Sequence, residues 1–157
     1  MLFRSLMSGL VSGVSPHEEA AGPGERREVT DGELAALLAG ARVAPSADNA
    51  QTWRFVTVRS EATRTELGRH VSPSFAQSVV DASVVIVICG VSWMVTHTRR
   101  EQPFVMLDAP IATTHMVLRA TEMGLPCGWT LDCDESAVRA ALGIPAEVRV
   151  IAIVAVG

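Results

Sequence analysis

Between Ala44 and Phe55 the chain reads APSADNAQTWRF, and Ser46, Asp48, Asn49 and Gln51 bring a hydroxyl, a carboxylate and two carboxamides close together. Carboxamides both donate and accept hydrogen bonds. A flat apolar ring with polar edges wants small residues on its faces and groups of this kind at its rim. The same residue types also satisfy the end of a helix through local side-chain bonds. The elbow is thus either the rim of a ligand site or a corner turned between helix and strand. A second stretch, PCGW at 126–129, is a small-residue turn that lets backbone approach a flat ligand.

Other chemistries are limited by what is missing. The chain has thirteen arginines, no lysine and no tyrosine, which removes a Schiff-base lysine, a P-loop lysine and a tyrosine acid. Cys89, Cys127 and Cys133 are odd in number and form no CxxC, which suits free thiols in a reducing compartment, hence the cytoplasm. CGWTLDC has the wrong spacing for zinc, and HEE at 17–19 is not HExxH, so no metal site is expected.

The elements that must position these groups follow from periodicity. TDGELAALLAGARV opens with an N-cap residue, Thr30, and Glu33 at capping-box spacing. Leu34, Leu37, Leu38 and Ala41 then recur at helical period, and Pro45 stops the helix. WRFVTVR alternates as a strand, EATRTELGRHV reads as a short amphipathic helix, and DASVVIVICG is apolar on both faces, hence a central strand. A long helix is expected over 104–124, ended by Gly124, then a short strand CGWTL, a capped helix DESAVRAALG and a closing apolar strand VRVIAIVAVG. The long helix is apolar nearly all round and must be covered on all sides. With only four strands and short helices available, a subunit interface is the expected cover. His115 and Met116 then read as core or interface residues, and Arg119 with Glu122 as a solvated edge.

Composition agrees. At 157 residues, 48% hydrophobic, the chain is most simply one domain, 30–157, preceded by a partly mobile segment and linker at 1–29. Its first residues resemble a signal peptide only faintly and lack a clean cleavage site. Mean hydropathy is +0.29, high for a small domain, which again favours an oligomer. The longest apolar run, SVVIVICGV, is too short for a membrane span, and a net charge of −4 offers no footprint for nucleic acid.

Four ordered segments resemble the flavin-dependent nitroreductase family: LLAGARVAPSADNAQTWRF, DASVVIVICG, DAPIATTHMVLRATEMGLPCGW and LGIPAEVRVIAIVAVG. The resemblance covers about 30–157 and implies an α+β fold, a mixed sheet flanked by helices, forming a dimer around the long central helix. It implies FMN at the subunit interface, with Pro45 and Ser46 lining the flavin across that interface. Asn49 and Gln51 would fix the loop, Asn49 also reaching the cofactor, and the backbone of Trp129, Thr130 and Leu131 of the other chain would face the ring edge. Trp53 would anchor the strand start.

Several positions depart from the family pattern. Where the family carries an arginine- and serine-containing phosphate motif before the first helix, this chain has PHEEAAGPG. Arg4, which precedes Ser5, is the expected phosphate ligand ahead of Arg26 or Arg27. The chain reads as a short member ending at Gly157 without the family's C-terminal arm, and Thr52 stands where the family has Pro. The implied activity is FMN-dependent transfer of hydride from a reduced nicotinamide, NAD(P)H, or an organic donor to a small organic acceptor. Acceptors of the family include nitroaromatics, quinones and rings that are dehydrogenated, and no dedicated catalytic side chain is implied. The alternatives are a shortened non-catalytic subunit, pairing with a complete homologue or sequestering flavin, and a small-molecule binding module without redox chemistry.

Overall fold

Two runs of β-branched and small apolar residues form the centre of the molecule. The computed structural model describes residues 27–91 and 103–157. In it, β2 (Val84–Val91) and β4 (Val148–Val156) pair with each other, and every residue of β2 is buried. β1 (Trp53–Val58) flanks β2 and β3 (Cys127–Thr130) flanks β4, giving one sheet in the order β1-β2-β4-β3. The helices are α1 (Asp31–Arg42), α2 (Glu61–Gly68), α3 (Pro73–Asp81), α4 (Val105–Glu122) and α5 (Glu135–Leu142).

Strand periodicity sorts the core onto the two faces of the sheet. Val84, Ile86 and Ile88 of β2 pack with Leu37 and Ala41 of α1 and with Ala109, Ala112 and Met116 of α4. Val85, Val87 and Cys89 face the other way, onto Leu67 of α2, Phe75 and Val79 of α3 and Val138 of α5. A bulge interrupts the register where Ile88 pairs with Ala152 but Cys89 with Val150. The extra residue, Ile151, lets Val150 face the second cluster while Ile151 and Ala152 both join the first.

Two expectations need correction. The sheet is not mixed: all three pairings among the described residues are antiparallel. Between β1 and β2 the reason is the pair α2–α3, which carries the chain out and back, so that Val58 lies beside Val85. Secondly, α3 was not anticipated, although Pro73 at its first turn and Phe75 and Val79 on its buried face mark it. Of the two places expected for Met116, core or interface, the structure shows the core: it is fully buried against this chain's own sheet. Helix α4 is otherwise as apolar as expected. One face is buried in the protomer, while Met106, Leu107, Ile111 and Leu118 on other sides stay exposed.

Two glycines matter to this arrangement. A Cβ on Gly90 would lie 2.1 Å from Val105 Cγ2, so its absence lets the start of α4 lie against β2. Gly124, at φ +64, ends α4: Leu125 N–H donates to the Ala120 carbonyl at 2.9 Å and Gly124 N–H to that of Thr121 at 3.0 Å. At the other end of the domain, close packing begins at Val29, whose N–H donates to Ser83 Oγ at 2.8 Å.

Candidate functional site

The elbow is held by its own short bonds and by one long-range contact. Helix α1 starts on the expected capping box, Glu33 N–H donating to Thr30 Oγ1 at 3.2 Å and Thr30 N–H to Glu33 Oε2 at 2.9 Å. It ends at Arg42, because the residue before Pro45 is disfavoured in helical geometry. The chain then makes a single tight turn at Ala47–Asn49, with positive φ at Asp48 (51°), Asn49 (54°) and Gln51 (48°). Asp and Asn tolerate that region better than most residues, which is one reason for their presence here. Gln51 N–H donates to Ser46 Oγ at 3.0 Å and closes the loop. Ala47 N–H donates to both carboxylate oxygens of Asp108, on α4, at 3.2 Å each.

The division of labour differs from the one expected. Loop fixing falls to the Ser46 hydroxyl and to Asp108, not to the side chains of Asn49 and Gln51. Among the described residues those two amides make no hydrogen bond to protein, and both residues are exposed, as is Pro45. Arg54 Nη1 donates to the carbonyls of Gln51 (3.2 Å) and Trp53 (2.7 Å), pinning the start of β1. Beside it lies an open groove of about 380 Å³ lined by Leu38, Arg42, Gln51, Trp53, Arg54 and Phe55.

The segment 129–131 lies elsewhere. Trp129 and Thr130 are on β3, half-buried, and Leu131 follows with 57% of its surface exposed. The two strands β1 and β3 are opposite edges of the sheet, three strand spacings or about 14 Å apart. One chain therefore does not bring Pro45, Ser46, Asn49 and Gln51 together with Trp129, Thr130 and Leu131. Arg4 and Arg26 lie outside the described residues. Arg27 is described, and its guanidinium pairs with Glu33.

Asp108 was missed by sequence reasoning, although it is the lone acid in the apolar stretch FVMLDAPIATTHMV. It is 4% exposed. Burial raises its pKa from the ordinary aspartate value, and the Ala47 N–H opposes that rise. The thiols are poor nucleophiles: burial pushes Cys89 to about 11 and Cys127 to about 12, and also raises Cys133. Among the described residues no three His, Cys, Asp or Glu side chains gather as a metal site would require.

The geometry is that of a polar elbow, braced from α4, at the edge of an antiparallel sheet packed with helices on both faces. The model of the Nitroreductase family matches residues 25–157. A protein of Archaeoglobus fulgidus named "Putative NADH dehydrogenase/NAD(P)H nitroreductase" is 30% identical over 139 residues, covering 83% of this chain and 75% of that protein. A nitroreductase family protein from Clostridium novyi NT superposes with a TM-score of 0.80 at 24% identity, over 85% of this chain and 75% of the other. An FMN-dependent nitroreductase from Clostridium difficile R20291 does so with a TM-score of 0.75 at 23% identity, over 85% and 78%. The chain belongs to the nitroreductase family.

Proposed function

We propose that this chain is an FMN-dependent oxidoreductase whose flavin site is completed by a second copy of the chain. The observation that carries the reading is the elbow itself. It offers two carboxamides unpaired by protein among the described residues, beside the small residues Pro45 and Ser46, on a backbone fixed from behind. Such a rim fits a flat ring with polar edges. FMN, when bound, would supply the hydride chemistry, while the chain binds and orients it.

The chain's own residues bind and orient. Asn49 and Gln51 would hold the cofactor through their amides, and Pro45 and Ser46 would line it. The backbone of Trp129, Thr130 and Leu131 approaches from the partner, since these segments are too far apart to meet within one protomer. Arg4 is the proposed phosphate ligand. The electron donor is a reduced nicotinamide, as the name of the Archaeoglobus fulgidus relative suggests, and the acceptor is a small organic molecule.

The test is FMN titration of purified wild type, Asn49→Ala and a variant lacking residues 1–27, followed by absorbance near 450 nm. Wild type is expected to bind FMN, and both variants to bind it at least tenfold more weakly. A colourless wild type that rejects added FMN would replace this reading with that of a non-catalytic subunit.

A further inference from the structure

Asp108 is the only charged residue that is buried among the described residues, and no arginine or histidine there pairs with it. A carboxylate withdrawn from water is costly unless its oxygens are bonded. Here both oxygens converge on one donor, the N–H of Ala47, across 61 positions of sequence. That N–H is the first of the turn Ala47–Asn49 and has no partner inside the turn. Ser46, the residue before it, caps none of the turn's N–H groups, and its hydroxyl accepts from Gln51 N–H instead. Asp108 thus caps the turn from another helix. Three left-handed residues in the elbow, Asp48, Asn49 and Gln51, persist only where the surroundings over-determine them.

We propose that Asp108 is a positioning residue that holds the elbow from behind, so that the amides of Asn49 and Gln51 present outward to the ligand. The tether stands on geometry alone; its purpose rests on the flavin reading above, and the experiment separates the two. Full-length wild type, Asp108→Ala, Asp108→Asn, Ala47→Pro and the double variant Ala47→Pro/Asp108→Ala are compared by amide exchange and by FMN titration. Ala47→Pro removes the donor without touching α4, and Ser46 is already extended (φ −140°, ψ 157°), as a residue before proline must be.

Asp108→Ala is expected to speed exchange at Asn49, Ala50 and Gln51 at least tenfold while the amides of β2 and β4 keep their protection. It should also weaken FMN about tenfold, and Asp108→Asn, which keeps one acceptor oxygen, should recover most of both losses. In the Ala47→Pro background, Asp108→Ala should loosen the elbow no further. Elbow exchange unchanged in Asp108→Ala, or loosened equally in the Ala47→Pro background, overturns the tether. A loosened elbow that binds FMN as tightly as wild type overturns the positioning role. Failure of wild type to bind FMN overturns that role together with the flavin reading, while the exchange data still decide the tether. If Asp108→Ala does not fold, Asp108→Asn alone and in the Ala47→Pro background decides by the same criteria.

Discussion

Thr52 closes the elbow with a buried hydroxyl that has no partner, while its carbonyl accepts the Val91 N–H at 3.1 Å and starts the sheet ladder. An unmade buried hydrogen bond costs about 1–3 kcal/mol. Thr52→Val keeps the shape and removes the orphan, so it is expected to raise stability by about 1 kcal/mol in urea denaturation; a loss of that size would mean the hydroxyl has found a partner in solution. Glu135 is the opposite case. Its carboxylate accepts from Arg149 Nε at 2.8 Å, from Val150 N–H at 3.0 Å and from Arg139 at 3.2 Å. The Arg149 bond, first among these causes, holds its pKa below the ordinary 4.5. A lowered folded-state value contributes stability that is present above the unfolded value and is lost as pH falls through the folded one. Glu135→Gln should therefore cost about 1–2 kcal/mol at neutral pH. The gap to wild type should close only as pH drops below 4.5; a pH-independent gap would refute the assignment.

Helix α4 meets β2 at Gly90, and the 2.1 Å approach of Val105 Cγ2 to a would-be Cβ leaves no room for a side chain. Val105 is β-branched and buried, so it cannot simply rotate away. Gly90→Ala is expected to destabilise the protein by roughly 1–3 kcal/mol, measured by thermal or denaturant unfolding. This contact also marks where sequence reasoning ends. The runs of β2 and β4, the capping box of α1 and the Gly124 stop were legible because each is a local pattern with a local cause. The elbow was legible as a polar break between two periodic segments. What escaped notice depends on partners remote in the chain: the antiparallel pairings, the bulge at Ile151, and the hold of Asp108 on Ala47. Met116 shows the same limit from another side. Periodicity announced an apolar helix, but which face the chain covers for itself is decided only by packing. Helix α3 was an exception, since Pro73, Phe75 and Val79 carried a readable signal that went unread.

The protomer leaves Leu107, Ile111 and Leu118 exposed at 52%, 39% and 63% along α4, an apolar band that suits the proposed second copy. Leu118→Arg is expected to yield a folded monomer by sedimentation with an unchanged circular dichroism spectrum. Met116→Arg should instead unfold the chain, because it buries an unpaired charge in the protomer's own core. A wild type that sediments as a monomer at micromolar concentration would refute the dimer. The separation of the elbow from β3 on opposite edges of the sheet has a genetic consequence in such a dimer. Each site draws one half from each chain, so two differently damaged chains can repair one another. A protomer carrying Asn49→Ala and one carrying Leu131→Arg, each weakened in FMN binding as a pure species, would on mixing form heterodimers in which both lesions fall in one site and the other is intact. Random exchange would restore about a quarter of the native sites, and complementation of this kind would be visible in a cell expressing both alleles.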